Sequence, residues 1–462
     1  MSPEERTPLP PIAPAPHAPP PGPAAPGSAG TGAPWKAPPS PFSRGASAQG
    51  GALPSAIIAH ARLLRVFDSR GNATVEAYLS TASGELGHAA APSGASTGTT
   101  EVHAFPEGGV PVALERFQRK VAERLVGFPI DDQAGFDRLL KELDGTSELS
   151  NLGGNTTTAL SIAYAGLRAR VWGVPLWRAI PGCPSEPRFP ALVGNVINGG
   201  AHAVGGPEIQ EYIAFTEAPD PGKAVEAAVA VHRAVGKRLR EKFPKGALGR
   251  GDEGGWVAPL SSVEALELLA EACHEVHDER HAQGISVRPG LDLAASEFYR
   301  KGRYVYRDQT LDPDGQVAFV SKLIERYGLA YVEDPLEEGD FTGFARLTSR
   351  SARGGNPLIV GDDLYTTHPA RLERGLREGA GNAVLLKVNQ VGTLTDTLRC
   401  VELARQGGWS TVASHRSGEV PDAWLAHLSV AFGSRGIKCG VLGGERIAKL
   451  NELVRLAASP AL

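Results

Sequence analysis

The second half of this chain repeats a pattern that few folds can accommodate: an apolar run closed by a charged residue, then a helix-length stretch. VRPGLDLAASEF places Asp292 after such a run, GLAYVEDP places Glu333, and PLIVGDDL ends in Asp362 and Asp363. NAVLLKVNQ sets Lys387 among Leu and Val, WSTVASHRSG ends in His415, Arg416 and Ser417, and GIKCG presents Lys438. From Asp292 the successive intervals to Glu333, Asp362, Lys387, His415 and Lys438 are 41, 29, 25, 28 and 23 residues, about what one strand, loop and helix require. Amphipathic helices read clearly at 222–243, 261–283, 315–327, 393–407 and 422–432. This alternation predicts βα units, hence a parallel sheet or a (β/α)8 barrel. In a barrel the strand ends converge on the C-terminal face, where active sites lie. Any one of these charges alone reads as an ordinary loop residue. Their succession, each after an apolar run, reads as one site.

The residue types then suggest a chemistry. Carboxylates on three separate strands make an oxygen-ligand site suited to Mg²⁺. Lysines and an arginine around such a metal point to a polyanionic substrate carrying phosphate and carboxylate, with Arg416 gripping phosphate bidentately. Lys387, among apolar residues and near Mg²⁺ and Lys438, is expected to have a lowered pKa and to serve as a base. That arrangement suits removal of a proton next to a carboxylate, with metal stabilising the resulting charge. Two further acids lie earlier: Glu211 follows Gln210 in EIQEYIAF, and Glu253 sits in GRGDEGGWVAP. Glycines on both sides let that loop approach a ligand closely. With a base opposite, Glu253 is a candidate general acid for expelling a hydroxyl group.

At 462 residues the chain exceeds one average domain. Residues 1–54 hold 16 of the 37 prolines, with almost no large apolar groups, and are expected to be disordered and to carry no chemistry. Residues 55–190 read as a small α+β domain, with two strands around the DSRGN turn and helices at 113–128 and 155–172. Residues 191–462 read as the barrel. The net charge of −4 gives no reason to expect nucleic acid or an acidic membrane as partner. The four cysteines form no CxxC pair, and no apolar run reaches 18 residues, so a soluble, cytoplasmic protein is expected. The histidines of CHEVHDERH (273–281) could share a helix face, but the interleaved charges favour a solvated surface over a metal site. Trp256, Trp409 and Trp424 read as packing groups, with Trp256 near enough to GDEGG to line a pocket.

Ten motifs, in order, carry a resemblance: DSRGNATVE (68–76), PSGASTG (92–98), LDGT (143–146), NVINGGAHA (195–203), GDEGG (251–255), LDLAASEF (291–298), VEDP (332–335), GDDL (361–364), LLKVNQVGT (385–393) and SHRSGE (414–419). Over roughly 56–456 the chain resembles the enolase family. The resemblance implies a small N-terminal α+β lid domain followed by a TIM-type (β/α)8 barrel. It also implies a lyase of glycolysis that eliminates water from 2-phosphoglycerate to give phosphoenolpyruvate. By the same resemblance Asp292, Glu333 and Asp362 hold a tightly bound Mg²⁺, and Ser96 helps hold a second. Lys387 takes the C2 proton, Glu253 assists loss of the C3 hydroxyl, and Glu211 works beside it. His202, Gln210, His415, Arg416, Ser417 and Lys438 contact the substrate, and a homodimer or higher homo-oligomer is implied.

The sequence departs from the family pattern in several places. TTEVHAFPEGG replaces a stretch that usually carries an Arg-Asp pair, and the GDEGGWVAP loop is one residue longer than usual. Ala201, Val420, Pro421 and Cys439 stand where other residues are usual, and an arginine late in CGVLGGERIAKLN is missing. These departures are expected around the lid loops and strand-end rims, where substrate shape is read. They leave open a paralogue of antibiotic biosynthesis that forms carboxyphosphonoenolpyruvate. A non-catalytic scaffold on the same fold is the remaining alternative.

Overall fold

A computed structural model of the chain describes residues 56–459 apart from 95–97, 247 and 353–355. The expectations for segment 1–54 and for Ser96 fall outside the described residues. Strands β1 (His60–Phe67) and β2 (Ala73–Ser80) pair antiparallel across the DSRGN turn, as the alternation predicts, and β3 (Leu86–Ala90) completes a three-stranded sheet. Asp68 closes the turn, its Oδ1 accepting the backbone N–H groups of Arg70 and Asn72 at 2.9 and 2.8 Å. The helix expected over 113–128 begins earlier, as α1 (Gly109–Arg116). It passes through a wider π-type turn at Phe117–Val121 and stops at Leu125. Helix α2 (Gln133–Asp144) follows, then α3 (Gly154–Trp172).

Helix α3 is buried along most of its length because its residues are small or apolar on every side. It lies directly against β3. At Gly87 a Cβ would stand 2.2 Å from both Ala163 O and Leu167 N, so only glycine allows this approach. Gly87→Val is therefore expected to cost about 1–3 kcal/mol or more, read as a lowered thermal midpoint. An unchanged midpoint would mean that the helix does not pack this tightly.

The second half is a closed barrel of β4 (Ala191–Asn198), β5 (Glu211–Glu217), β6 (Ser286–Asp292), β7 (Tyr331–Glu333), β8 (Leu358–Gly361), β9 (Ala383–Leu386), β10 (Ser410–Ser414) and β11 (Gly436–Gly440). The strands follow chain order, and β11 pairs with β4 to close the ring. The barrel differs from a regular βα repeat at one strand: β5 runs antiparallel to both neighbours. The short loop 199–210 joins β4 to β5 with no crossover helix, and without one the chain can only double back. Helices α4 (Pro221–Lys242) and α5 (Ser262–Arg280) then follow in succession before β6. The reversal makes β5 start at the face where the parallel strands end, and Glu211, its first residue, is paired with Asp292, the last of β6.

Later connections are helical: α6 (Pro313–Tyr327), α7 (Phe341–Ser351), α8 (Pro369–Glu378), α9 (Leu394–Gln406), α10 (Trp424–Ala431) and α11 (Gly444–Ala458). Starts are encoded locally. Asp220 and Asp312 accept the N–H of the third helical residue, with Pro next in sequence, and Ser261 with Glu264 forms a capping box. Val193, Ile213, Phe215, Tyr331, Val360, Leu385 and Val412 form a buried cluster from the barrel strands. The N-terminal elements reach the barrel mouth, where Ser93 and Gly418 exchange backbone hydrogen bonds at 2.7 and 2.8 Å. No helix among the described residues is long and apolar enough to cross a membrane. On α5, His277 Nδ1 accepts the N–H of Val287 at 3.3 Å, which puts the ring proton on Nε2 and denies a metal that nitrogen. His274 and His281 are exposed, as expected for a solvated face.

Candidate active site

The strand ends converge as the spacing predicts. One polar cavity at the C-terminal mouth is lined by His202, Gln210, Glu211, Glu253, Asp292, Asp362, Lys387, His415, Arg416, Ser417 and Lys438, together with Gly94, Ala294, Asp334, Asp363 and Ser414. Glu333 lies beside it, fully buried. Of the expected site residues, Ser96 alone falls outside the described residues.

Lys438 is the hub on one side. Its Nζ lies 2.7 Å from Glu333 Oε1, 2.8 Å from Asp292 Oδ2 and 3.2 Å from Glu211 Oε1, all buried. These carboxylates outweigh the desolvation of the ammonium, and the Lys438 pKa is held well above its ordinary value. Lys387 pairs with Asp362 on the other side. Burial would lower the pKa of Lys387, but the Asp362 charge overrides it and the amine is held above its usual value. The expected lowering is thus reversed here. An apolar neighbourhood in sequence did not reveal the carboxylate that the fold brings to the amine.

Glu211 and Glu253 meet at the reversed strand, with His202 Nδ1 at 3.7 and 3.9 Å from them. Burial, with the neighbouring Glu253 charge, pushes the Glu211 carboxyl well above the usual range. Burial also opposes ionisation of Glu253, yet His415, His202 and Arg446 outweigh it and hold Glu253 well below that range. The proton of this pair therefore resides on Glu211. The His415 tautomer follows from its partners: Arg446 Nη1, which can only donate, lies 2.8 Å from His415 Nδ1. The His415 proton is consequently on Nε2, 3.2 Å from Glu253 Oε2. Burial pushes His415 down to about 4, so the ring is neutral near pH 7.

Carboxylates dominate this mouth: Glu211, Glu253, Asp292, Glu333, Asp334, Asp362 and Asp363 against Lys387, Lys438 and Arg416. Burial and the Asp292 charge push Glu333 up to about 8, and burial with Asp362 pushes Asp363 to about 8. Glu211 Oε2 and Gln210 Oε1 are buried without a hydrogen-bond partner. A crowd of hard carboxyl oxygens, whose burial and mutual repulsion raise several of their pKa values, fits a divalent cation such as Mg²⁺. Asp362 also clusters with Asp334 and Asp363, but Asp334 accepts the backbone N–H groups of Asp362 and Asp363 at 2.9 and 2.8 Å. Its carboxylate shapes the turn.

Several contributors were not singled out from sequence. Glu101, in the divergent TTEVHAF stretch, holds Arg416 with both oxygens at 3.0 and 3.2 Å and accepts the N–H of Gly98 at 3.1 Å. Gln390 donates to Asp362 Oδ1 at 2.9 Å, Asn389 accepts from Arg416 at 2.9 Å, and Asn195 donates to Glu253 at 3.0 Å. The last three lie in motifs already quoted, so the signal was present, but motif membership does not say which side chain points inward. Of the substituted positions, Ala201, Val420, Pro421 and Cys439 do not line the cavity, and Val420 and Cys439 are buried in the core. Trp256 does not line it either, in keeping with a packing group.

Comparison with known proteins agrees with this geometry. The chain matches the model of the enolase C-terminal TIM barrel domain over 187–459 and that of the enolase N-terminal domain over 58–180. It is 48% identical over 406 residues to a protein named enolase from Methanothermobacter thermautotrophicus, covering 87% of this chain and 96% of the relative. It is 45% identical to one from Thermoplasma acidophilum, covering 86% and 96%, and 44% identical to one from Natronomonas pharaonis, covering 87% and 99%. With one domain model matched by the N-terminal elements, the other by the barrel that gathers these side chains at one mouth, and relatives of this identity, the chain belongs to the enolase family.

Proposed function

We propose that this chain, a carbon–oxygen hydro-lyase of the enolase type, eliminates water from 2-phosphoglycerate to give phosphoenolpyruvate, with 191–462 as the catalytic barrel and 55–190 as the domain covering its mouth. One observation carries the reading. The site has two working sides: Lys387 follows β9 and Glu211 opens β5, four strands apart in the eight-stranded ring. A base and a proton donor facing each other across a cleft suit an elimination in which the C2 proton and the C3 hydroxyl leave from opposite faces.

Lys387 Nζ takes the C2 proton, and the electron pair left behind spreads into the substrate carboxylate. The C3–O bond then breaks, and the proton shared by Glu211 and Glu253 leaves with the hydroxyl as water. Asp292, Glu333 and Asp362 would hold Mg²⁺, with Ser96 assigned to a second ion. When bound, this metal supplies positive charge to the carboxylate that gains electron density. Arg416 and Ser417 take the phosphoryl group, His202 and Gln210 approach from loop 199–210, and Lys438 faces the substrate carboxylate. Lys387 must start as the free amine, and engagement of Asp362 as a metal ligand would remove the partner that keeps it protonated. The similarity to relatives named enolase favours 2-phosphoglycerate over the larger phosphonate analogue, and the divergent TTEVHAF stretch reaches the site through Glu101, which grips Arg416.

The test is absorbance at 240 nm with 2-phosphoglycerate and Mg²⁺. A rise that chelator abolishes and Mg²⁺ restores is expected, and no rise at any metal concentration would remove the proposal. Metal uptake should also depend on pH. Glu333 holds its proton below about pH 8 in the metal-free protein, and a ligand carboxylate must shed its proton to bind. Mg²⁺ affinity should therefore climb from pH 6 to 8, with a proton released on binding, and flatten above. An affinity independent of pH would take Glu333 out of the ligand set.

A further inference from the structure

The turn carrying Glu253 is built largely of glycine. Gly251 N–H bonds Gly255 O at 2.9 Å, Gly254 N–H bonds Gly251 O at 3.0 Å, and Gly254 takes φ +79°. Such a backbone has little intrinsic preference for one conformation. Yet the carboxylate must be held closely, because a displacement of about 1 Å can cost on the order of 100-fold in rate. One tether comes from helix α4. His232, 1% exposed, has Nε2 3.0 Å from the carbonyl oxygen of Gly254, the residue after Glu253, and since a carbonyl can only accept, Nε2 is the donor.

The His232 ring is itself fixed. Trp256, in the same GDEGGWVAP stretch, stacks on it at 5.1 Å between centroids with planes 29° apart, and the indole Nε1–H donates to His232 O at 2.9 Å. Arg250 and Arg240 lie over the indole at 5.2 and 5.8 Å. Helix α4 makes room for it: at Gly236 a Cβ would stand 2.4 Å from indole Cζ2. A glycine inside a helix is unfavourable relative to alanine, and here the indole explains it. Neither His232 nor Trp256 lines the cavity.

We propose that His232 is a positioning residue for Glu253: clamped by Trp256, it holds the Gly254 carbonyl and so sets where the catalytic carboxylate stands. The proposal rests on the assignment of Glu253 to hydroxyl loss. It predicts a selective defect, because Lys387, on the far side of the ring, takes the C2 proton independently of this turn.

The experiment compares His232→Phe, which keeps the stack and the volume but loses the donor, with His232→Gln, which keeps a donor, and with Trp256→Phe. Each full-length variant is assayed with Mg²⁺ for elimination at 240 nm, for exchange of the C2 proton of 2-phosphoglycerate in D₂O, and for thermal midpoint. For His232→Phe, elimination is expected to fall 10- to 100-fold with exchange retained within about threefold and KM little changed. His232→Gln should recover most of the loss, and Trp256→Phe should fall between. Wild-type elimination in His232→Phe, or elimination and exchange falling together in step with the midpoint, would overturn the proposal. If His232→Phe does not fold, the elimination-to-exchange ratio of Trp256→Phe decides: a wild-type ratio overturns it, a lowered ratio supports it. Glu253→Gln separates the premise, since elimination surviving in that variant would defeat the role of Glu253 itself.

Discussion

Lys387→Ala abolishes exchange of the C2 proton of 2-phosphoglycerate with solvent and lowers kcat by roughly 10²–10⁴-fold or more, the usual worth of a positioned general base. The same variant keeps its metal. The amine in the structure pairs with Asp362, and deleting it leaves that carboxylate without its nearest cation. A divalent ion becomes the natural replacement, so Mg²⁺ affinity should be unchanged or higher. Calorimetric Mg²⁺ titration beside an exchange assay in D₂O reads both effects. Exchange persisting at the wild-type rate would assign the base elsewhere. Loss of exchange accompanied by loss of metal would mean that Lys387 organises the ligands and does not act on the substrate.

Glu253→Gln should produce the complementary defect, with elimination lost by roughly 10²–10⁴-fold while C2 exchange continues. Gln is close to isosteric, so Asn195 can still bond the side chain at this position. What changes is charge. The ionised Glu253 raises the Glu211 carboxyl, and without that neighbour the proton on Glu211 is held less firmly. The sign is fixed by linkage: a carboxyl whose pKa falls keeps its proton only to lower pH. Any residual elimination in Glu253→Gln should therefore lose its proton donor at a lower pH than wild type does. A pH profile of residual kcat with its basic limb unmoved would show that Glu211 and Glu253 do not share a proton.

The sequence made the barrel readable through its periodicity, and made the site readable through what closes each apolar run. Asp292, Glu333, Asp362, Lys387, His415 and Lys438 were found because strands of a barrel end on one face, so position along the chain stands in for position in space. Asp68 at its turn and Asp220, Ser261 and Asp312 at their caps act over a few residues. They are local enough to be written into the sequence.

The reversal of β5 was not legible, since an apolar run reads alike in either direction, and it is this reversal that sets Glu211 opposite Asp292. The protonation states were equally hidden. Lys387 among leucines suggests a lowered pKa, but the pKa of a buried amine depends on the nearest charge, and Asp362 lies 25 positions away. Glu101 bridging to Arg416, Arg446 fixing the tautomer of His415, and His232 holding the turn of Glu253 are likewise contacts between distant segments. Sequence by itself determined which elements form and which residue types reach the mouth, because hydrophobic period and capping act over a few residues. Only the tertiary structure decided which charges face one another, and therefore which group holds a proton, because a Coulomb interaction in a buried site depends on separation in space and not along the chain.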